Sequence, residues 1–193
     1  QIQKVAAIND LSGYGKCSLT VAIPILSVFG LQCCPLPTAI LSNHTGYESF
    51  FFDDYTDKMK AFFLEWKKLN LHFDCIYTGF LGSERQIDLV QEFLRIFRKQ
   101  AMLLVDPVMG DEGIIYSTYS EAMCEKMKRL VSVADLITPN VTEACILSGE
   151  VYQKVLEVNK IRQIAVRLHK MGAKQIVITG IRQGMQIQNY VYH

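Results

Sequence analysis

Short apolar segments alternate along the chain with longer segments whose apolar residues recur every three or four positions. The short segments predict β-strands at residues 4–8, 33–41, 75–78, 103–105, 136–137, 176–179 and 186–192. The longer ones predict helices at residues 16–29, 54–69, 142–147 and 155–171, with another helix opening at Ser83. Repeated strand–helix units of this kind predict an α/β fold with three α/β/α layers and a mostly parallel central sheet covered by helices on both faces. We expect a single domain over residues 1–193.

Prolines interrupt two of these segments. Pro24 lies inside the apolar helix pattern of residues 16–29, which predicts either a kink there or a later helix start. Pro35 and Pro37 lie in the strand pattern of residues 33–41. Because proline donates no backbone hydrogen bond, this strand is expected to be at an edge of the sheet or to start irregularly.

Other local signals mark the ends of elements. Residues 11–15 are rich in serine and glycine and predict a loop between the first strand and the first helix. Ser83 followed by Gln86 has the spacing of a capping box. Gly180 predicts the end of the strand before it, and Gln183–Gly184 predicts a hairpin turn.

The composition excludes several classes of protein. The 193 residues carry a formal net charge of +1 without a basic cluster, so nothing predicts nucleic-acid binding. No apolar stretch is long enough to cross a bilayer, and no secretory signal is visible. The six cysteines show no CxxC spacing, and histidine is scarce, so a zinc site is not expected. A reduced, cytoplasmic setting fits this use of cysteine.

Two apolar strands end on polar residues that suit a metal and a phosphate. Asp106 and Asp111 follow the strand at residues 103–105, and Asn140 and Glu143 follow the next strand. In an open α/β sheet, ligands bind at the carboxyl ends of the strands, where these side chains would share one pocket. Oxygen ligands of this kind suit Mg²⁺ carrying a nucleotide. Turn formation by aspartate and helix capping by Glu143 are the structural alternatives, and capping is compatible with a metal role.

Two loops are candidate ligand-binding segments. Residues 12–16 join the first strand to the first helix, and their glycines allow close approach of an anion to free backbone N–H groups. Their spacing matches neither a Walker A loop nor a GxGxxG fingerprint, so a tight turn is the simpler interpretation. Residues 42–47 place five hydrogen-bonding side chains around Gly46 directly after a strand. That segment is either a polar turn or a substrate loop.

Three segments together resemble a known family. They are Ser42-Asn43-His44-Thr45-Gly46-Tyr47, Asp106-Pro107-Val108-Met109-Gly110-Asp111, and Thr138-Pro139-Asn140 followed by Glu143 and Leu147-Ser148-Gly149. With them the chain resembles, over essentially its whole length, the pyridoxal and pyridoxamine kinases of the ribokinase-like superfamily. The first segment is the most specific, because it is typical of vitamin B6 kinases and not of sugar kinases. The resemblance implies an enzyme that uses ATP to phosphorylate the 5′-hydroxymethyl group of pyridoxal, pyridoxine or pyridoxamine.

The resemblance also implies roles for individual residues. Those expected to line the substrate site are Ser12, His44, Thr45 and Phe80. Those expected on the nucleotide side are Asp106, Asn140, Thr179 and Gly180. Those expected to hold metal ions are Asp111 and Glu143 for Mg²⁺, and Thr138 with Asp111 for a monovalent cation such as K⁺. The partners implied are the B6 vitamer and ATP, with neither nucleic acid nor membrane, and members of the family commonly form homodimers.

One part of the family pattern is missing. The family carries a Gly-Thr-Gly-Asp motif whose turn binds the transferring phosphoryl group and whose aspartate is the catalytic base. The chain reaches His193 without it. We therefore expect the catalytic aspartate to lie beyond His193, in a C-terminal portion that this sequence lacks, and residues 1–193 alone to have no appreciable kinase activity.

Two alternatives remain open. The first is hydroxymethylpyrimidine kinase, a relative with the same fold that usually carries a Lys-Ser pair after the valine of the aspartate loop. Here Met109 and Gly110 follow Val108, as in the B6 kinases. The second alternative is a non-catalytic module that binds a nucleotide or a vitamer, which only the missing motif supports.

Overall fold

The computed structural model describes residues 2–117 and 119–193. The chain divides into two compact units, Gln1–Met102 and Leu103–His193. Strands and helices alternate in both units, and most neighbouring strands are parallel, as the hydrophobic pattern predicts. The expectation of one domain stays a prediction.

The first unit contains four strands and three helices. In chain order they are β1 (Lys4–Tyr14), α1 (Leu19–Val28), β2 (Gln32–Asn43), β3 (Phe52–Asp54), α2 (Thr56–Lys68), β4 (Cys75–Thr78) and α3 (Glu84–Phe97). The strand order is β4-β1-β2-β3. β1 is parallel to both β4 and β2, whereas β3 is antiparallel to β2. An aromatic cluster centred on the fully buried Phe63 and Phe93 packs α2 against α3.

The next strand of the chain starts at the boundary between the two units, and the second unit contains the elements from there onwards. Its elements are β5 (Met102–Val105), β6 (Gly110–Asp111), β7 (Ile114–Ile115), α4 (Glu121–Val131), β8 (Leu136–Ile137), α5 (Val141–Ser148), α6 (Val158–Met171), β9 (Gln175–Gln183) and β10 (Gln186–Tyr192). The strand order is β10-β9-β8-β5, with β6 and β7 forming a separate hairpin. β5, β8 and β9 are parallel, and β10 returns antiparallel to β9. The hydrophobic pattern does not predict α4, β3 or the β6–β7 hairpin.

The start of the chain corrects two expectations. The predicted loop at residues 11–15 is wrong, because β1 continues to Tyr14 and its last residues pair with the end of β2. Pairing within the sheet has overridden the low strand propensity of glycine and serine. The helix predicted from Lys16 begins only at Leu19, since Lys16 and Ser18 have φ angles of 48° and 52°. These left-handed conformations cannot belong to a right-handed helix.

The proline-containing strand β2 lies between β1 and β3 and is therefore at an edge, as predicted, only over its first part. Pro35 and Pro37 pair only with β1 among the described strands, whereas β3 joins the other side of β2 at Ala39–Leu41, beyond both prolines. The missing proline N–H groups therefore cost little where that side of β2 has no strand. At the other end of the chain, the predicted end of a strand at Gly180 is wrong. β9 continues to Gln183 because Gly180, with φ of 73°, is accommodated at an irregularity in the β9–β10 pairing.

The capping signals are confirmed at two helices. Ser83 precedes α3, and its side chain accepts a hydrogen bond from the Gln86 N–H. The Gln86 side chain accepts from the Gly82 N–H at 2.8 Å, so the box is only half formed. At α5 the box is complete, with Asn140 and Glu143 each capping the other's backbone N–H. No helix among the described residues is long and apolar enough to cross a membrane.

Candidate functional site

Two polar side chains are buried in the second half of β1. Asp10 is 7% exposed and Ser12 is fully buried. The Ser12 hydroxyl donates a hydrogen bond to Asp10 Oδ2 at 3.0 Å. The proton of the predicted substrate residue Ser12 is therefore directed to Asp10. Asp10 was not predicted, although, like Asp106, it is a carboxylate close to the end of an apolar segment.

Phe80 is fixed by hydrogen bonds to its backbone on both sides. The Asn9 side chain accepts a bond from the Phe80 N–H at 2.8 Å, and the Thr38 hydroxyl donates to the Phe80 carbonyl at 2.9 Å. Asn9 and Thr38 are themselves buried. Gly79 makes room for this arrangement, since a Cβ atom there would lie 2.2 Å from Asn9 Nδ2. Hydrogen bonds therefore fix the backbone of Phe80, whose aromatic side chain is expected to form a wall of the substrate site.

The loop after β2 has an ordered aromatic face. The His44 N–H donates to the Tyr14 carbonyl at 3.2 Å, and His44 Nδ1 accepts from the Gly46 N–H at 3.1 Å. The His44 ring lies 4.7 Å from the Tyr47 ring, which lies 5.6 Å from the Tyr14 ring. Thr45, in the turn beside them, is exposed. The roles of His44 and Thr45 as substrate contacts stay predictions.

In the second unit, Glu143 joins the start of α5 to the loop after β5. Its two carboxylate oxygens accept separate hydrogen bonds, one from the Asn140 N–H at 2.7 Å and one from the Met109 N–H at 3.2 Å. Asn140 adds a second link, because its side-chain amide donates to the Gly110 carbonyl at 2.8 Å. Glu143 is only 4% exposed. Capping is thus a confirmed role of Glu143, and the same contacts hold the loop that carries Asp111.

The carboxylates of the second unit influence one another. Burial above all, together with the nearby charges of Asp106 and Asp111, raises the pKa of Glu143 to about 8, against the backbone hydrogen bonds that lower it. Burial also raises the pKa of Asp106 to about 6, against a hydrogen bond from Thr138 that lowers it. The Tyr116 pKa is raised by burial and then by these same three carboxylates. Tyr116 was not predicted, and no motif in its sequence neighbourhood signals it.

The remaining predicted residues of this unit lie along neighbouring strand ends. Thr138 follows β8 and contacts Asp106 through its side chain. Asn140 and Thr179 form a parallel β-bridge, and the Thr179 N–H donates to the Pro139 carbonyl at 2.9 Å. Gly180 comes next and is exposed. The structure thus brings Asp106, Thr138 and Asn140 to the carboxyl ends of the parallel strands β5 and β8, where α/β proteins bind ligands, with Thr179 of β9 beside Asn140.

The oxygen atoms of these side chains suit a metal ion that binds together with phosphate groups. Among residues 2–117 and 119–193, no three His, Cys, Asp or Glu side chains are grouped so that they could enclose a metal by themselves. Mg²⁺ in nucleotide sites commonly takes only one or two carboxylates and completes its shell with phosphates and water. Asp111 is exposed, with one oxygen accepting from the Glu112 N–H at 2.8 Å, and fits that requirement.

Parallel strands that end on these polar residues define an α/β protein of the ribokinase-like class, and known structures agree. A protein of Bacteroides thetaiotaomicron assigned as a phosphomethylpyrimidine kinase and solved with pyridoxal is 42% identical, with a TM-score of 0.94 over 100% of this chain and 68% of that one. The pyridoxal kinase of Lactobacillus plantarum is 31% identical, with a TM-score of 0.89 over 99% of this chain and 68% of that one. Residues 29–193 match the model of the phosphomethylpyrimidine kinase family, and the chain belongs to that family.

Curated relatives support the predicted resemblance to pyridoxal kinases. The pyridoxal kinase of Arabidopsis thaliana is 29% identical over 189 residues, which are 94% of this chain and 59% of that enzyme. The pig enzyme is 30% identical over 163 residues, which are 80% of this chain and 49% of the relative. The chain thus spans 49% to 59% of the length of these relatives.

Proposed function

We propose that the full-length protein transfers the γ-phosphoryl group of ATP to the 5′-hydroxymethyl group of a vitamin B6 vitamer. The observation that carries this proposal is the likeness, over the whole chain, to a 42% identical relative solved with pyridoxal. Pyridoxal kinases among the curated relatives support it. We further propose that the protein acts in the cytoplasm as a homodimer, with the vitamer and ATP as its small-molecule partners.

The first unit would bind the vitamer. The loop residues His44 and Thr45 would meet its polar substituents, and Phe80 would pack against its ring. The support is geometric, because the His44 backbone is bonded to Tyr14 and its ring accepts a hydrogen bond from the Gly46 N–H. The Phe80 backbone is likewise held by Asn9 and Thr38. Positioning of this kind lowers the entropy that the substrate must lose on the way to the transition state.

The second unit would bind the nucleotide and its metal ions. Asp111 and Glu143 would hold Mg²⁺, and Thr138 with Asp111 would hold a monovalent cation such as K⁺. Asp106, Asn140, Thr179 and Gly180 would lie beside the phosphates. Bound Mg²⁺ would neutralise charge on the phosphate oxygens, which is a main requirement of phosphoryl transfer. The residues of this unit would therefore fix the position and charge of the nucleotide, and none of them is assigned as the catalytic base.

A second candidate substrate is hydroxymethylpyrimidine or its phosphate. The family model that matches residues 29–193 carries the name phosphomethylpyrimidine kinase, which is the observation in its favour. The segment from Ser42 to Tyr47 and the Met109-Gly110 pair after Val108 favour the B6 vitamers instead.

The proposed activity is tested by identifying the product. Full-length protein is incubated with ATP, Mg²⁺ and pyridoxal, pyridoxine or pyridoxamine in separate reactions, and the products are analysed by mass spectrometry and phosphorus NMR. We expect a phosphate ester on the 5′-hydroxymethyl group of at least one vitamer, with one ADP formed per ester. ATP hydrolysis without any phosphorylated vitamer would rule the proposal out.

The metal assignment predicts a specific effect of Asp111→Asn. The amide keeps the oxygen that accepts from the Glu112 N–H and removes the charge from an exposed side chain, so folding stability should change by no more than about 0.5 kcal/mol. The Mg²⁺ concentration for half-maximal activity should rise by about tenfold or more, because the neutral amide attracts the cation less strongly than the carboxylate does; tenfold corresponds to about 1.4 kcal/mol of binding free energy. The measurement is a Mg²⁺ titration of initial rates, together with thermal unfolding.

Glu125→Gln is the matched control for this titration. Glu125 is also an exposed carboxylate of the second unit, but it pairs with Lys128 on α4. Its substitution should leave the Mg²⁺ requirement unchanged. An identical Mg²⁺ requirement for Asp111→Asn and the wild-type protein would remove Asp111 from the metal site.

A further inference from the structure

The tip of the β6–β7 hairpin is a two-residue turn formed by Glu112 and Gly113. β6 and β7 contribute two residues each to the pairing. Glu112 and Gly113 both have positive φ angles, 48° and 81°, as in type I′ turns. For a glutamate this left-handed conformation is uncommon. A hairpin this short is not stable on its own in water, so contacts from other elements must hold its tip.

Three side chains from outside the hairpin contact this tip. The Thr142 hydroxyl in α5 accepts a hydrogen bond from the Gly113 N–H at 2.8 Å, and Thr142 is only 3% exposed. Arg182 of β9 forms an ion pair with Glu112 at 2.7 Å. The Tyr152 ring, beyond α5, packs against Gly113, because a Cβ atom there would lie 2.5 Å from Tyr152 Cδ1. We call Thr142 and Arg182, which bond to the tip, the clamp.

The clamp reaches Asp111 through the backbone of the tip. One carboxylate oxygen of Asp111 accepts a hydrogen bond from the Glu112 N–H at 2.8 Å, so the orientation of the turn determines where this carboxylate points. The base of the hairpin is held separately, by hydrogen bonds to Glu143 and Asn140. Asp111 lies between the base and the tip. Its position is therefore fixed only when both ends of the hairpin are held.

Charge at the tip is balanced by Arg182. Burial raises the pKa of Tyr152, and the charges of Glu112 and Asp111 raise it further, whereas Arg182 lowers it. All three charges therefore lie near the Tyr152 hydroxyl. Because Arg182 pairs with Glu112, the negative charge that remains at the tip is that of Asp111.

We propose that Thr142 and Arg182 are positioning residues that hold the hairpin tip and so place the Asp111 carboxylate for Mg²⁺ bound to a nucleotide. The inference rests on the proposed function, and specifically on Asp111 as a metal ligand. Mg²⁺ demands nearly ideal octahedral geometry, so a small displacement of a ligand weakens its binding. A carboxylate that is fixed beforehand also loses less conformational freedom on binding. The clamp therefore raises the affinity for Mg²⁺ and nucleotide without contacting either.

Binding of Mg²⁺ with ADP by the full-length protein tests the clamp. Thr142→Val keeps the shape of the side chain and removes the acceptor of the Gly113 N–H, and Arg182→Gln removes the charge that pairs with Glu112. Dissociation constants are measured by calorimetry for ADP with excess Mg²⁺ and for ADP in EDTA. With Mg²⁺, the constant should rise about fivefold for Thr142→Val, which loses one neutral hydrogen bond. It should rise about threefold for Arg182→Gln, because an exposed ion pair contributes less. Without metal, ADP should bind both variants and the wild-type protein with similar constants.

Amide hydrogen exchange gives a readout that needs neither ligand nor activity. In the ligand-free protein, exchange in residues 111–116 reports opening of the tip, and the Gly113 N–H is the group that Thr142 binds. Exchange in this segment should be about fivefold faster in Thr142→Val. It should be about threefold faster in Arg182→Gln. A general loss of stability would instead accelerate exchange throughout the second unit.

A control variant and a combination with Asp111→Asn show whether the effect is specific. Lys174 also forms an exposed ion pair in the second unit, with Asp135 at 2.7 Å, but at the amino ends of β9 and β8. Lys174→Gln should bind Mg²⁺ and ADP as the wild-type protein does. Because the clamp acts through Asp111, neither Thr142→Val nor Arg182→Gln should weaken binding further in the Asp111→Asn background.

The outcomes separate this inference from the proposed function. Unchanged constants for Mg²⁺ with ADP in both clamp variants overturn the clamp, even if the wild-type protein phosphorylates a vitamer. Equal weakening in the wild-type and Asp111→Asn backgrounds also overturns it, since the effect would then not pass through Asp111. Weaker binding that disappears in the Asp111→Asn background supports the clamp, even if no vitamer is phosphorylated and the proposed substrate is wrong.

Two further results are decisive. If Thr142→Val does not fold, Arg182→Gln carries the test, because the Arg182 side chain is 57% exposed and its loss leaves no buried group unpaired. Unchanged binding in that variant then overturns the clamp. A wild-type protein that does not bind Mg²⁺ with ADP overturns both the clamp and the nucleotide site of the proposed function.

Discussion

Replacing Glu143 with alanine is expected to lower the free energy of unfolding by about 2–4 kcal/mol and to abolish most of the activity. The two carboxylate oxygens accept hydrogen bonds from the N–H groups of Asn140 and Met109, at a side chain that is 4% exposed. Each N–H group left without a partner costs about 1–3 kcal/mol. Part of this cost is offset because the buried carboxyl group is itself unfavourable when ionised. The measurement is chemical denaturation of both proteins.

The pH dependence of stability gives an independent check on Glu143. Its folded-state pKa of about 8 lies above the ordinary value of 4.5, because burial disfavours the ionised form. Between these pH values the unfolded state releases a proton that the folded state retains, so unfolding becomes easier as pH rises. Without metal or nucleotide, stability should therefore fall from about pH 4.5 to pH 8, and Glu143→Gln should flatten this slope. A wild-type stability that rises over this range would contradict the buried, neutral Glu143.

Glu143→Gln separates charge from hydrogen bonding less cleanly than Asp111→Asn does. An amide has one acceptor oxygen, whereas Glu143 uses both of its oxygens as acceptors. The glutamine variant should therefore lose one of the two bonds and be destabilised by about 1–2 kcal/mol. For this reason Asp111→Asn is the better probe of the metal ion alone, and Glu143→Ala is the better probe of the link between α5 and the loop after β5.

Gly79→Ala is expected to lower kcat/KM by about 100-fold and to destabilise the protein by about 1–3 kcal/mol. Its Cβ would lie 2.2 Å from Asn9 Nδ2 and 2.5 Å from Asn9 Cγ, so the Asn9 side chain must move. Overpacking of this kind costs about 1–3 kcal/mol. Moving Asn9 also breaks its bonds to the N–H groups of Asp10 and Phe80, and misplacing substrate contacts by about 1 Å commonly costs about 100-fold in rate.

Gly82→Ala is the control for this substitution. A Cβ at Gly82 would meet its nearest atom, in the Phe80 ring, at 3.5 Å, which is ordinary van der Waals contact. Its stability should stay within about 0.5 kcal/mol of wild type. Initial rates over a range of vitamer concentrations, with denaturation curves of both variants, make the comparison. Wild-type kinetics for Gly79→Ala would show that Asn9 does not position the substrate site.

The hydrophobic pattern predicted the class of fold because it reports burial, which dominates the choice of elements. The strands at Cys75–Thr78 and Leu136–Ile137 have the predicted bounds. The predicted hairpin turn is present one residue later than expected, at Gly184 and Met185, because Gln183 belongs to β9. Errors occurred where tertiary pairing outweighs local propensity. The serine- and glycine-rich end of β1 is a strand only because the end of β2 pairs with it.

The candidate site was predictable where a polar residue directly follows an apolar strand or completes a capping motif. Asp106, Asn140 and Glu143 were found in this way, and the capping box of Glu143 is present. Asp10 and Asn9 were not predicted, because the apolar pattern of the first strand ends at residue 8. In the structure both residues are buried inside β1. Their importance depends on contacts with Ser12 and Phe80, and the contact with Phe80 joins residues far apart in the sequence.

The central claim is that the protein is a vitamin B6 kinase, and a competition assay tests it most directly. Full-length protein, ATP and Mg²⁺ are mixed with equal concentrations of pyridoxal, pyridoxine, pyridoxamine and hydroxymethylpyrimidine, and the phosphorylated products are quantified at early times. Because the substrates compete for one enzyme, the initial product ratios equal the ratios of kcat/KM. We expect a B6 vitamer phosphate to be the main product. A main product of hydroxymethylpyrimidine phosphate would contradict the assignment and identify the alternative substrate.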